Sequence, residues 1–258
     1  MDYGWCQLEY IKFPYVYPLI SILSCSRRFV CNLAPYGKLV VQTMDSTIRH
    51  YQPSDQLVVF EISADTAFFG EPVEAFLEDR RLHTDAFTRY YTDHEAPYVW
   101  VADSPQGMIG FLLGCADTSQ LSKRWRRYII TRVVLRALSG QYKLGRRTAS
   151  FAWGMLVGMI RSEEPKVDLV QYPAHLQIDV KQGYRGEGVG RRLIEAYRDQ
   201  LHQLGFCGVH LGTTSHNVAA CHLYEKIGFE LLDSRPNRFW TRMLGFDVEN
   251  RTYGLKLR

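Results

Sequence analysis

The sequence feature that most constrains the fold is the stretch 176–192, which reads LQIDVKQGYRGEGVGRR. An apolar strand runs directly into a glycine-rich turn, and the turn opens a long amphipathic helix. Arg185, Gly188 and Gly190 form the pattern R-x-x-G-x-G, in which the missing side chains let a phosphate approach the backbone. The first N–H groups of the helix then point at that phosphate. The order strand, glycine turn and helix predicts an anion-binding cradle.

A phosphate cradle alone permits a nucleotide, a dinucleotide or coenzyme A. A P-loop is disfavoured because no Lys-Ser or Lys-Thr follows the glycines. A Rossmann dinucleotide site is disfavoured because the motif comes late in the chain and no further βαβ units follow it. The pattern that remains fits a pyrophosphate bound at one helix, with a second segment of the chain completing the site.

The chain from about residue 44 onward reads as a single α/β domain. A short strand at 47–51 precedes a helix that Ser54 or Asp55 can cap. Two apolar runs around a turn with Pro105 and Gly107 predict an antiparallel hairpin. Further predicted elements are a helix over 72–91, a helix over 189–204, a strand at 208–214, a helix over 217–228, and closing strands at 229–232 and 252–257. Residues 1–43 lack a sustained helical period or bounded strand alternation, so we expect a poorly ordered N-terminal extension.

A basic helical insertion, 119–165, is expected between the third and fourth strands. Its first 43 residues, 119–161, contain no Asp or Glu and ten basic residues, which are Lys123, Arg124, Arg126, Arg127, Arg132, Arg136, Lys143, Arg146, Arg147 and Arg161. They form either a basic wall for an acidic ligand or a solvated helix face. The apolar run 151–160 either roofs a pocket or belongs to the core.

Charge and cysteine content limit the classes of partner and compartment. A net charge of +4 is too mild to indicate a nucleic-acid-binding protein. The six cysteines include no C-x-x-C pair, which favours a reducing, cytoplasmic location. The apolar run at about 13–25 is too short to span a bilayer and is followed, not preceded, by basic residues, so we expect neither export nor membrane insertion. The histidines show no metal-ligand spacing, and no metal is expected.

Two segments carry a family resemblance. YRGEGVGRRL at 184–193 and NVAACHLYEKIGF at 217–229 resemble the two cofactor-binding motifs of the GNAT superfamily of acetyl-CoA-dependent N-acetyltransferases. The resemblance implies the GNAT (acyl-CoA N-acyltransferase) fold over 44–258, a mixed central sheet flanked by helices. The segments 172–180 and 208–212 are also similar to bacterial relatives of the acetyltransferase-like domain of O-GlcNAc hydrolases.

The resemblance implies a role for each matching residue. Backbone groups of Ile178 and Val180 would pair with the pantetheine arm of acetyl-CoA, and Asn217 would hydrogen-bond the same arm. Tyr224 would lie near the sulfur and protonate the departing thiolate; a core aromatic is the alternative. The residues that would surround the pyrophosphate are Arg185, Gly186, Glu187, Gly188, Val189, Gly190 and Arg191.

Asp179 departs from the family pattern, because this position is usually small and apolar. Asp179 and His175 share a strand face and are the candidates for the general base that removes a proton from the acceptor ammonium. A structural aspartate and a histidine bonded to neighbouring backbone are the alternatives. Gln182 stands where the family most often has proline. Cys221 has no clear His partner, so a nucleophilic role is not expected.

The expected activity is direct acetyl transfer from acetyl-CoA to an amine of a small molecule or peptide. The basic insertion favours an acidic acceptor on charge grounds. The alternative is an inactive pseudo-acetyltransferase that binds acetyl-CoA or serves as a protein-interaction module. A homodimer is left open.

Overall fold

A seven-stranded mixed sheet organises the computed structural model, which describes residues 45–257. The predicted extension, 1–43, lies outside the described residues. The strand order is β1-β2-β3-β4-β5-β7-β6, and only the central pair, β4 and β5, is parallel. The strands are β1 Thr47–His50, β2 Val99–Ser104, β3 Gly107–Cys115, β4 Ala174–Val180, β5 Gly208–Thr214, β6 Glu230–Pro236 and β7 Glu249–Lys256. The predicted mixed sheet is confirmed.

Helices cover both faces of this sheet. They are α1 Gln56–Thr66, α2 Arg80–Phe87, α3 Arg89–His94, α4 Thr118–Tyr128, α5 Leu135–Leu138, α6 Arg146–Ile160, α7 Val189–Gln203, α8 Val218–Ile227 and α9 Arg238–Leu244. A π-helical segment, Ile129–Val134, joins α4 to α5. Leu176, Leu193 and Tyr197 belong to the core cluster on the α7 side, whereas Val59 and Phe111 belong to the cluster on the α1 side.

The predicted helix over 72–91 is wrong, because the chain forms a short 3-10 turn followed by α2 and α3. The carboxylate of Asp79 accepts a hydrogen bond from the N–H of Leu82 at 2.9 Å, so a new helix begins at Arg80. Helix α9 was not predicted. Asn237 caps it by accepting from the N–H of Trp240, and Gly245 ends it in a left-handed conformation.

The parallel pairing of β4 and β5 covers only part of their length. Ala174, His175 and Leu176 pair with β5, and the last pair is Leu176 with Leu211. Strand β4 nevertheless continues to Val180 and β5 to Thr214. The two strands therefore separate toward their carboxyl ends, directly before the glycine turn and before α8.

The basic insertion lies between β3 and β4, as predicted, and docks through ion pairs. Arg136 contacts Asp85 at 2.5 Å, and Arg132 contacts Asp93 at 3.2 Å. Helix α6 has no fully buried residue, so the expectation that 151–160 forms core is wrong. Its Phe151 packs against Phe76, while the exposed large apolar side chains of α6 are Trp153, Met155, Leu156, Met159 and Ile160. No helix among residues 45–257 is long and apolar enough to cross a bilayer.

Candidate active site

A cleft of about 1260 Å³ opens where β4 and β5 separate. Strand β4 supplies its floor. The turn 184–191 and helix α8 form one side, which we call the cradle side. The other side, which we call the aromatic side, is formed by α1, α2, α6, α9 and the loops after α1 and α2.

The glycine turn on the cradle side has the conformation that an anion cradle requires. Gly186 and Gly188 have positive φ angles of +82° and +78°, a region that side-chain-bearing residues rarely adopt. A Cβ added at either position would meet nothing within 4 Å, so the space beside the backbone is open. Gly188 directly precedes the 15 residues of α7, whose first N–H groups face this space. The turn therefore fits a pyrophosphate.

The predicted side chains around this turn contribute unequally. Val189 is buried in the core, so only its backbone can serve a ligand. Arg185 donates from Nε to the carbonyl of Val180 at 2.9 Å and from Nη2 to the carbonyl of Gly70 at 3.3 Å. Arg191 pairs with Glu195 at 2.7 Å. The remaining predicted residues that line the cleft are Gly186, Glu187, Gly188 and Gly190.

The backbone of Ile178 and Val180 faces the opening between the strands. The N–H of Lys181 donates to the carbonyl of Ile109 on β3 at 2.9 Å. Backbone groups of successive strand residues alternate between the two neighbouring strands, so those of Ile178 and Val180 turn toward β5. Because the pairing with β5 has already ended, these groups border the cleft, where the carbonyl of Val180 accepts from Arg185. This geometry suits an extended ligand arm lying between the strands.

Helix α8 brings two predicted residues to the cleft. Asn217 caps the helix, with Oδ1 accepting from the N–H of Ala220 at 3.4 Å, and its Nδ2 remains as a donor. Tyr224 is buried, with its ring 6.0 Å from Phe229 and 5.9 Å from Tyr253. Burial and the negative charge of Asp179 raise the pKa of Tyr224, so its hydroxyl stays protonated.

Asp179, the next-to-last residue of β4, lines the floor of the cleft. Burial raises its pKa to about 6, and the hydroxyl of Thr66 and the charge of Arg185 offset part of that rise. A carboxyl group with this pKa is mostly ionised at pH 7 and can still accept a proton readily. Asp179 therefore has the properties of a general base.

His175 does not reach the cleft, although it shares a strand face with Asp179. Four residues of strand separate the two by roughly 13 Å. Both ring nitrogens of His175 have partners, with Nε2 at 2.7 Å from the hydroxyl of Tyr91 and Nδ1 at 2.9 Å from that of Thr118. Burial lowers its pKa to about 3, so the ring stays neutral and holds α3, α4 and β4 together.

The sequence did not predict the aromatic side, apart from the suggestion that 151–160 roofs a pocket. Its rings come from four separated segments and are Phe69, Phe76, Phe87, Phe151 and Trp240. The same side holds His83, whose Nε2 lies 3.2 Å from Oγ of Ser63. No periodic pattern links these positions, so only the folded chain brings them together.

Across residues 45–257, no three His, Cys, Asp or Glu side chains are grouped to hold a metal ion.

Residues 149–229 match the model of the acetyltransferase (GNAT) family. The matched range holds most of α6, then β4, the glycine turn, α7, β5 and α8. It includes every predicted site residue from His175 to Tyr224. The two segments that carried the resemblance in the sequence, 184–193 and 217–229, both lie inside it.

Solved structures with a similar fold support this match. SsHAT has 26% identity and a TM-score of 0.62, over 83% of this chain and 98% of that one. An N-acetyltransferase from Staphylococcus aureus Mu50 has 14% identity and a TM-score of 0.50, over 83% and 99%. The structure of yncA from Salmonella typhimurium with its cofactor acetyl-CoA has 18% identity and a TM-score of 0.52, over 83% and 94%. Within this chain, the segment 149–229 thus matches the GNAT acetyltransferase family, and the described residues share the fold of these solved structures.

Proposed function

We propose that this chain transfers the acetyl group of acetyl-CoA directly to an amine. The observation that carries the proposal is a single cleft in which a glycine cradle, an unpaired strand edge, a carboxyl group with a pKa of about 6 and a protonated tyrosine meet. Acyl transfer to an amine requires a bound acyl donor, a base for the amine and a proton donor for the leaving thiolate, and these groups can supply them.

Acetyl-CoA fits the cradle side of the cleft. The N–H groups from Gly186 to Arg191 suit its pyrophosphate, and the backbone of Ile178 and Val180 suits the amide-containing pantetheine arm. Asn217 offers Nδ2 to the same arm. The shared fold of yncA, whose structure contains acetyl-CoA, supports this choice of cosubstrate.

The thioester of acetyl-CoA supplies the activated acetyl group, and the residues of this chain move the protons. Asp179 accepts a proton from the acceptor ammonium, directly or through water, and so frees the lone pair of the amine. A backbone N–H near Val180 on β4 stabilises the negative charge that develops on the carbonyl oxygen. Tyr224 donates its proton to the departing thiolate, which its raised pKa permits because the hydroxyl is protonated at neutral pH.

A covalent acetyl-enzyme is not part of the proposal. Cys221 is buried, and its thiol donates to the carbonyl of Thr214 at 3.6 Å. No histidine hydrogen-bonds this thiol within the described residues, so nothing there activates it as a nucleophile.

Cofactor binding at the cradle is tested with two matched glycine substitutions. Gly188→Glu adds a carboxylate where the pyrophosphate binds, and we expect it to weaken acetyl-CoA binding more than about 100-fold because like charges meet at close range. Gly140→Glu is the control, since Gly140 has a similar φ of +72° and equally open space but lies outside the cleft. Isothermal titration calorimetry with acetyl-CoA measures both.

Equal losses of acetyl-CoA affinity in Gly188→Glu and Gly140→Glu would argue against the cradle as the binding site. If the wild-type chain binds acetyl-CoA but acetylates no amine, it acts as an acetyl-CoA-binding module instead of an enzyme.

A further inference from the structure

We propose that the acceptor is a primary amine carried on an aromatic or large apolar group, and that this group binds against the aromatic side of the cleft. The inference rests on the proposed acetyl transfer, but it concerns a different part of the cleft from the cofactor cradle. It replaces the acidic acceptor that the basic insertion favoured.

The aromatic side forms one continuous wall. Trp240 has ring centroids 5.2 Å from Phe69 and 5.4 Å from Phe76. Phe151 continues the wall, 4.9 Å from Phe76 and 6.3 Å from Phe87. Four of these five rings are only half-buried, so they present apolar surface to the cleft. Apolar surface in a concave site is typical of a pocket for a ligand with an apolar body.

The electrostatics of this side favour an ammonium group over an anion. Within the described chain, the cleft-lining residues that α1, α2, α6, α9 and their loops contribute include no Lys, Arg, Asp or Glu. Asp179 on β4 is the carboxylate next to them. A protonated amine beside this carboxylate and the faces of aromatic rings is stabilised by both. An acidic acceptor would instead bring a second negative charge close to Asp179.

The basic side chains that line the cleft, Arg185, Arg191 and Lys226, all belong to the cradle side. Arg185 is already bonded to the carbonyls of Val180 and Gly70. Of the insertion residues 119–161 that the structure describes, only Phe151 lines the cleft, so the basic side chains lie elsewhere. Two of those basic residues, Arg132 and Arg136, pair with carboxylates of α3 and α2.

A polar group lies at the base of the aromatic side. The hydroxyls of Ser63 and Thr88 are 2.6 Å apart, and Ser63 also contacts Nε2 of His83. The Nδ1 atom of His83 is buried and has no partner among the described residues. Burial lowers the pKa of His83 to about 4, so the ring is neutral and does not repel an ammonium group. An unpartnered buried nitrogen beside an apolar wall is expected to meet a ligand atom or a water molecule.

Matched amines test the acceptor class in steady-state assays at saturating acetyl-CoA. The probes are 2-phenylethylamine, ethylamine, spermidine and O-phosphoethanolamine. We expect kcat/KM for 2-phenylethylamine to exceed that for each of the others by about 10-fold or more, the difference that one well-filled apolar subsite supplies. Equal or higher activity with O-phosphoethanolamine or spermidine would overturn the proposal.

Variants of the wall identify where the ring binds. Phe151→Ala and Phe87→Ala are each expected to lower kcat/KM for 2-phenylethylamine about 10-fold, because KM rises. The value of kcat/KM for ethylamine is expected to stay unchanged, because ethylamine has no ring to bind the wall. Trp153→Ala is the control, because Trp153 lies on the same helix as Phe151 but is 64% exposed. Unaltered acetyl-CoA binding verifies that each variant is folded. Loss of activity with both amines, or no effect from either wall variant, would contradict the proposal.

Binding of 2-phenylethylamine to the protein saturated with CoA, measured by calorimetry, separates this inference from the proposed function. Binding that depends on Phe151 but occurs without turnover would sustain the acceptor pocket and reject the catalytic proposal. Turnover of other amines with no binding of 2-phenylethylamine would sustain the catalytic proposal and reject the acceptor pocket.

Discussion

Asp179 is the residue whose surroundings most affect the proposed chemistry. Its pKa of about 6 means that the carboxylate form increases as the pH rises through 6. A general base acts in that form, so kcat/KM is expected to rise up to about pH 7 and then level off. Asp179→Asn removes the base and is expected to lower kcat/KM at pH 7.5 about 100-fold and to abolish this inflection. Asp199→Asn is the control, since Asp199 is exposed and outside the cleft.

The stability of Asp179→Asn distinguishes a base from a structural aspartate. A pKa above the ordinary 3.8 means that the folded state holds the proton more tightly than the unfolded state. Ionisation of Asp179 therefore costs stability as the pH rises from about 4 to about 6, and the cost persists above it. We expect the Tm of Asp179→Asn at pH 7.5 to equal or exceed that of the wild type. A clear decrease would mean that Asp179 holds the fold together.

Tyr224→Phe tests the proton donor. The substitution keeps the ring packed against Phe229 and Tyr253 and removes only the hydroxyl. We expect kcat to fall about 100-fold while the Kd for acetyl-CoA changes less than about twofold. Tyr98→Phe is a suitable control, because Tyr98 is half-buried and outside the cleft. Unchanged turnover in Tyr224→Phe would remove Tyr224 from the mechanism.

The sequence predicted the positions of the glycine turn and of α8 better than those of the two candidates for the general base. The glycines, Asn217 and Tyr224 follow from local motifs, and each borders the cleft. Alternation predicted that His175 and Asp179 share a face, but it could not predict at which end β4 leaves β5. That point depends on pairing with a strand more than thirty residues away in the chain. It decides that Asp179 lines the cleft while His175 lies outside it.

Among the elements, the separation of β4 and β5 creates the site. Periodicity predicted both strands, but nothing local to either indicates that pairing stops after Leu176. The helix α9 was missed because its seven residues are too few for a clear period. It nonetheless supplies Trp240 to the cleft, so a short element with a weak pattern contributes directly to the acceptor pocket.

A buried carboxylate of α2 is one of the groups that attach the basic insertion to the domain. Asp85 is fully buried and accepts from Arg89 and Arg136, each at 2.5 Å, and from the hydroxyl of Tyr142 at 2.9 Å. It thereby joins α2, α3, α5 and the loop before α6. The insertion is therefore not only a solvated helix face, because Arg132 and Arg136 pair with carboxylates of the domain.

Asp85→Ala is expected to lower the free energy of unfolding by about 3 kcal/mol, because it leaves two arginines and a buried hydroxyl without their acceptor. Urea denaturation followed by circular dichroism measures the change. Asp199→Ala serves for comparison, since Asp199 is exposed and pairs only with the adjacent Arg198, and its effect is expected to stay within about 0.5 kcal/mol. Similar values for the two variants would mean that the insertion docks through other contacts.

Across the whole molecule, the two sides of the cleft differ in how much of each lies within the segment that matches the GNAT family. The cradle side lies entirely within 149–229, the range that matches the family. The aromatic side lies mostly outside it, because only Phe151 of its five rings falls within the range. Motifs could therefore predict the cosubstrate, whereas the acceptor depends on α1, α2 and α9, which the fold assembles around a site that the motifs do not describe.

The central claim is that one cleft binds acetyl-CoA and transfers its acetyl group to an amine. The most direct measurement incubates the full chain with acetyl-CoA and an aromatic, a cationic or an acidic amine, and quantifies free thiol and N-acetylated amine by mass spectrometry. We predict one acetylated amine for each thiol released, with at least one of the amines, at a rate well above that without protein. Binding of acetyl-CoA with no acetylated amine from any of the three, or thiol release without an acetylated product, would contradict the claim.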